Sequence, residues 1–316
     1  MRSDTIRGAT AWREDSVPGP VRIAVGRTGE GPNPLVALHG ITSHHHAFNS
    51  VARHLQYPDG LLAVDLRGRG DSAKPTATDG AYGAYGMEEH ARDVMRVLDH
   101  FALERAVLAG HSMGGFVALH AALLFPARVT AIALLDSGWP RVAGEQDKEA
   151  AAAIETGLAR SFSRLTRTFP TRDDYLNFWF PQGGVTLEGL PPDLADNYAY
   201  DIRPVDGGWQ PKASLDAAMA DARWTMERNA TAQELRGVTC PVALVRPAAG
   251  FFPDTPPLIT PEALRVMRDV LPFQSDTLIA GANHYTMMYE PYAIETARAI
   301  DEFVASVTRS KTRNLS

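Results

Sequence analysis

The pentapeptide Gly110-His111-Ser112-Met113-Gly114 constrains this chain more than any other stretch. It has the form G-x-S-x-G, in which a strand turns sharply into a helix and lifts a serine hydroxyl clear of a sheet. The flanks fit that geometry. Arg105–Ala109 is a short apolar run, and Phe116–Phe125 is rich in Ala and Leu with no breaker before Pro126. The small residues have a physical reason. The turn holds the serine in strained backbone geometry, and side chains at Gly110 and Gly114 would collide with the neighbouring strand and helix. Ser112 is therefore a candidate nucleophile.

Around this turn, apolar strand-like runs alternate with helical stretches, the pattern of an α/β fold with a mostly parallel sheet. Strands are expected at Val21–Val25, Leu35–Leu38, Leu61–Asp65, Arg105–Ala109, Val129–Leu135, Pro241–Val245 and Asp276–Ala280. Helices are expected at Met87–Phe101, after the Ser112 turn, at Pro261–Val270 and at Tyr292–Val307, followed by a polar, frayed tail at Thr308–Ser316. Between 139 and 235 the character changes. No convincing apolar strand occurs there, and helical patches break at Pro170, Pro181, Pro191-Pro192 and Pro204. The chain divides accordingly into a core, 1–138 with 236–316, and a helical insertion, 139–235.

Bulk properties narrow the function. Net charge is −6, with Lys and Arg totalling 31 against 37 Asp and Glu, and no basic stripe marks a nucleic-acid partner. The single cysteine, Cys240, precludes an internal disulfide and suits a cytoplasmic protein. Met1–Pro20 lacks the apolar segment of a secretory signal, and no apolar run is long enough to span a membrane.

A serine needs a base, a carboxylate to orient that base, and donors for the developing oxyanion. For a serine in this turn the expected chain order is Ser, acid, His. Of ten histidines, His284 alone follows in that order, in the loop Gly281-Ala-Asn-His-Tyr285 after the last strand. One oxyanion donor is expected at the Met113 N–H. The other is expected at Ile41, in His39-Gly40-Ile41-Thr42 after the strand Leu35–Leu38. Two acids satisfy the order. Asp136 directly follows the strand Val129–Leu135, whereas Asp254 lies some way beyond Pro241–Val245. Ligand sites in open α/β sheets sit just outside strand ends, which favours Asp136. Asp254 stays open as the second choice.

With these residues placed, the chain resembles α/β-hydrolase-fold enzymes along nearly its whole length. The resemblance rests on His39-Gly40, on Asp65-Leu-Arg-Gly-Arg-Gly-Asp-Ser72, on Gly110–Gly115 and on His284. It implies an eight-stranded, mostly parallel sheet with a helical cap after the sixth strand. Most members carry the acid in a turn after the seventh strand. Here that stretch, Val245-Arg-Pro-Ala-Ala-Gly-Phe251, holds no carboxylate. Leu134-Leu-Asp136 is similar to the arrangement in zearalenone-type lactone hydrolases, which place the acid after the sixth strand.

The expectation is thus a cofactor-independent serine hydrolase acting on a carboxylic ester or lactone of an apolar or aromatic small molecule. Hydrolysis of a C–C bond beside a ketone by the same residues is the alternative, and a non-enzymatic small-molecule receptor on this fold is another. Trp139, Phe178, Trp179, Trp209 and Trp224 are the candidate pocket walls. No metal is expected. His44-His45-His46 are adjacent in a loop, cannot readily converge on one ion, and lack a nearby acid or cysteine at ligand spacing.

Overall fold

The computed structural model describes residues 8–76, 82–140 and 148–313, so the far N-terminus, part of the insertion and the last three residues of the tail lie outside the described residues. The first half of the core runs β1 (Arg13–Val17), β2 (Ile23–Arg27), β3 (Leu35–Leu38), α1 (Asn49–His54), β4 (Leu61–Val64), α2 (Met87–His100), β5 (Ala106–His111), α3 (Met113–Leu124) and β6 (Val129–Leu135). An insertion follows, with α4 (Lys148–Ser163), α5 (Arg172–Trp179), α6 (Pro192–Asp201), β7 (Ile202–Val205), β8 (Gly208–Pro211), α7 (Leu215–Arg228) and α8 (Ala232–Leu235). The core resumes with β9 (Val242–Pro247), α9 (Pro261–Val270), β10 (Phe273–Ile279) and α10 (Ala293–Arg313).

Eight strands form one sheet in the order β1-β2-β4-β3-β5-β6-β9-β10. β1 pairs antiparallel with β2, and β2 with β4; from β4 to β10 every pairing is parallel. The parallel strands are buried on both faces, which is why they read as continuous apolar runs. Alternation along β3 shows the two faces. Val36 and Leu38 join one core with Leu98, Phe116 and Met267, while Leu35 and Ala37 join a second with Phe48, Ile300 and Phe303. α2, α3 and α9 therefore cover one face and α1 and α10 the other. α3 is buried from Met113 to Ala122, as expected of a helix at the centre of such a sandwich.

The chain leaves β3 for β4 on one side and returns to β5 on the other. Such a reversal opens a crevice at the carboxyl ends of the two strands, where ligands bind in this architecture. Those ends are the Gly40 loop and the Ser112 turn.

Three elements differ from the sequence expectation. β1, Arg-Glu-Asp-Ser-Val, has no apolar run because it is an edge strand, mostly exposed, whose charges discourage pairing with another chain. The insertion contains a hairpin, β7–β8, closed at Asp206-Gly207 and docked by pairing of Trp209 with Phe169. Its strands are short and half-exposed, so they carry no apolar signature. α10 continues to Arg313, beyond the residue at which the tail was expected to fray.

Candidate active site

Ser112 has φ 54° and ψ −123°, a left-handed backbone that only a tightly held turn sustains. Close approach explains its glycines. A Cβ on Gly114 would lie 2.0 Å from the Leu38 carbonyl oxygen, and one on Gly110 would lie 2.4 Å from that of Gly114. The Ser112 N–H donates to the Leu135 carbonyl at 3.0 Å, tying the turn to the end of β6. Pairing of His111 with Leu135 sets Ser112 and Asp136 at the ends of adjacent strands.

Asp136 also has a positive φ, 47°, and its N–H donates to Val245 at 2.8 Å. Asp is among the few side chains that tolerate this region. Its Oδ2 accepts from His284 Nδ1 at 2.6 Å, and both residues are buried. Three further contacts fix His284. Its N–H donates to the Gly250 carbonyl at 2.8 Å, its carbonyl accepts from His111 Nε2 at 2.9 Å, and the Phe251 ring packs on its imidazole at 4.8 Å. Burial, and then the neighbouring His284, hold His111 well below the usual histidine range, so it serves as a neutral donor. With Nδ1 committed to Asp136, His284 Nε2 is left to exchange a proton, and His284 and Ser112 line the same cavity. Asp254 is exposed in a turn and lines no part of that cavity.

The Gly40–Ile41 loop lies directly beside Ser112, where a Cβ on Gly40 would come 3.3 Å from the Ser112 Cβ, and it is fixed from two sides. His39 Nδ1–H donates to the Gly40 carbonyl at 2.7 Å, while its Nε2 accepts from the Leu66 N–H at 3.0 Å. Burial pushes this histidine down to about 3, so the neutral tautomer that these two bonds require is the stable one. From the other side, Arg69 Nε donates to the Ile41 carbonyl at 2.8 Å. Arg69 is fully buried and pairs with Asp221 of α7, which also accepts from His90 at 2.9 Å. Burial pushes the Asp221 carboxyl up, but the charges of His90 and Arg69 outweigh it and hold it at about 2. The Arg-Gly-Arg-Gly-Asp loop thus braces the loop that carries Ile41.

The cavity is about 420 Å³, within the range of small-molecule sites. Trp179, Phe180 and Tyr198 of the insertion face Phe251, Tyr285 and Tyr289 of the core across it. Arg164, just past α4, is buried in its wall. Its Nη2 donates to the Thr42 carbonyl at 2.9 Å and lies 3.2 Å from Asp201 Oδ2. Its Nε and Nη1 find no hydrogen-bond partner among the described residues. Burial pushes the guanidinium down, but Asp201 more than offsets it, so Arg164 stays charged.

Of the five aromatics expected in the pocket, only Trp179 lines it. Trp139 packs edge-on against Phe116, and Trp224 lies in the main core with its ring against His120. Phe178 and Trp209 close a small cluster around Phe169, Tyr175 and Ile202. Aromatic composition marked the insertion's own core as readily as its cavity wall, because both need large apolar faces. Arg164 escaped the sequence reading. Its one signal is spacing: Gly157 and Ser161, four apart, share a face of α4, and Arg164 follows three residues on in the turn that ends the helix; all three line the cavity.

A doubly wound sheet with a strained serine at its switch point, in one cavity with a carboxylate-bound histidine, defines a class of hydrolytic enzyme. Residues 33–291 match the family described as alpha/beta hydrolase fold, and the chain belongs to that family. The chain is a hydrolase of this fold. It is 29% identical over 286 residues to the 2-(acetamidomethylene)succinate hydrolase of Mesorhizobium japonicum, covering 90% of this chain and 92% of the relative. A crystal structure of E-2-(acetamidomethylene)succinate hydrolase superposes with a TM-score of 0.74 at 26% identity, covering 93% of this chain and 100% of that one. The thioesterase domain from the curacin biosynthetic pathway shares the fold, with a TM-score of 0.66 at 19% identity over 94% of this chain and 100% of that one. Among the described residues no helix is long and apolar enough to cross a membrane.

Proposed function

We propose that this hydrolase cleaves a carboxylic ester or lactone of a small molecule through an acyl-enzyme on Ser112. The observation that carries this reading is the 2.6 Å bond between Asp136 and His284 Nδ1 in the cavity onto which Ser112 opens. Ser112 Oγ attacks the carbonyl carbon as His284 Nε2 takes its proton. The N–H groups of Met113 and Ile41 hold the oxyanion. His284 returns the proton to the leaving oxygen, then removes one from the water that attacks the acyl-enzyme and passes it to Ser112 Oγ as the bond to the acyl group breaks. Asp136 keeps the imidazole in the useful tautomer and stabilises its cation. No step calls on a cofactor.

The cavity refines the substrate class. Trp179, Phe251 and Tyr198 suit an apolar body, and the charged guanidinium of Arg164 in the cavity wall suits a carboxylate on the same molecule. The Mesorhizobium relative is named for a succinate derivative, which carries such groups. Hydrolysis of matched aryl esters with and without a carboxylate tests both parts of the proposal. Ser112→Ala should abolish turnover of each ester by several orders of magnitude and prevent labelling by an organophosphonate. Arg164→Met should raise KM for the carboxylate ester roughly 10-fold to 100-fold, the worth of a charge-assisted hydrogen bond, and leave the neutral ester almost unchanged. Wild-type rates in Ser112→Ala would overturn the mechanism; equal KM effects on both esters would overturn the carboxylate assignment.

A further inference from the structure

Outside the cavity, Glu14, His45 and His46 bring one potential ligand atom each to within 4.8 Å of one another. Sequence spacing argued against a metal at the three adjacent histidines because no acid lay near them in the chain. The fold brings one from β1. Strand register sets Glu14 opposite Gly26 of β2, and the His45 ring occupies the space above that glycine. A Cβ on Gly26 would lie 2.5 Å from His45 Cδ2, so only glycine admits the ring. Glu14 Oε1 then lies 3.1 Å from His45 Nε2 and 3.5 Å from His46 Nε2. With metal–ligand bonds of about 2.0–2.1 Å, the edge of a tetrahedral site is about 3.3 Å, close to both separations.

The opposite ring nitrogens are equally well placed. His45 Nδ1 lies 2.9 Å from Asp65 Oδ1, and His46 Nδ1 lies 2.5 Å from Asp196 Oδ2. Metal-bound histidines are oriented in this way, by a carboxylate on the nitrogen that does not ligate. His46 Nε2 is buried with no hydrogen-bond partner among the described residues. Glu14 is half-exposed and gives an ion access from solvent.

We propose that Glu14, His45 and His46 form a binding site for a divalent cation of the zinc class, with water in the fourth position. Two imidazoles and one carboxylate suit zinc better than magnesium or calcium. The site joins three separate pieces of the molecule. β1 supplies Glu14, the loop that carries Ile41 and His44 supplies the two histidines, and α6 supplies Asp196. Tyr200 of α6 stacks on His46 at 4.0 Å and donates its hydroxyl to Asp65 at 2.6 Å. An ion here clips the edge strand and the insertion to the loop that borders the cavity.

The test uses the full chain, stripped with a chelator and then titrated with Zn²⁺ and Co²⁺. Calorimetry should give one ion per chain, and Co²⁺ should show the visible absorption of a tetrahedral site. Zn²⁺ at 100 times its Kd should raise Tm by roughly 5 °C. Glu14→Gln and His46→Gln should each weaken binding at least 10-fold, whereas Ser112→Ala should bind as wild type. Glu14 sits on an exposed edge, so its variant folds even where the His46 variant does not. Absence of stoichiometric binding by the wild-type chain would overturn the proposal, as would unchanged affinity in Glu14→Gln. Either result would mean that a proton, not a metal, bridges Glu14 and His45.

Discussion

Asp136 illustrates how much one residue must satisfy: a left-handed backbone, an N–H tied to β9 and a carboxylate bonded to His284. Asn keeps the shape and the backbone tolerance but presents a donor where His284 needs an acceptor. Asp136→Asn should therefore fold normally and lose about 10⁴-fold in turnover, while Asp254→Asn should stay near wild type; steady-state kinetics of the two variants checks both. His39 yields a prediction about acid. It is held at about 3 in the fold against 6.5 when exposed, so between these values the unfolded chain binds a proton that the folded chain does not. Stability from this residue is complete above pH 6.5 and falls as pH drops through that window, by about 1.4 kcal/mol per pH unit. Denaturant titrations from pH 7 to 4 should show a slope smaller by this amount in His39→Asn than in the wild type, with His111, also held low by burial, retaining its own share. Ser112 and His284 were legible in the sequence because a local turn motif and chain order identify them. Arg164 was not, since its place in the cavity wall exists only once residues 139–235 have folded over the sheet.

Among the elements, the loop 65–72 shows how a segment without regular structure can carry mechanical load. Arg69 reaches from it to the Ile41 carbonyl on one side and to Asp221 of α7 on the other, all in the interior. Removing the guanidinium would strand a buried carboxylate beside His90. Arg69→Met should cost about 3–5 kcal/mol in denaturant unfolding, and kcat should fall as the Ile41 N–H loses its brace. Parallel strands β3 to β6 and β9 were visible as apolar runs because burial on both faces demands it. β1 and the β7–β8 hairpin were not, because edge and half-exposed strands owe their form to pairing partners rather than to composition.

At the scale of the molecule, the insertion does two jobs with similar residues. Trp224 anchors α7 into the main core, while Trp179 walls the cavity. Trp224→Ala should cost about 3–5 kcal/mol of stability with KM little changed. Trp179→Ala should do the reverse, shifting KM with a smaller loss of stability, and thermal unfolding beside kinetics on the same preparations separates the two. The change in character after Trp139 was readable in the sequence; which aromatic serves which job depends on packing between segments distant in sequence. Placing the carboxylate after β6 has a consequence for how such an enzyme can change. The turn after β9 holds His284 through the Gly250 carbonyl and the Phe251 ring, whereas the Phe252 ring beside them borders the cavity under the Arg160 guanidinium and touches neither Ser112 nor His284 in any hydrogen bond or ring contact among the described residues. A lineage can therefore exchange that side chain and drift from one substrate to another without ever passing through an inactive ancestor.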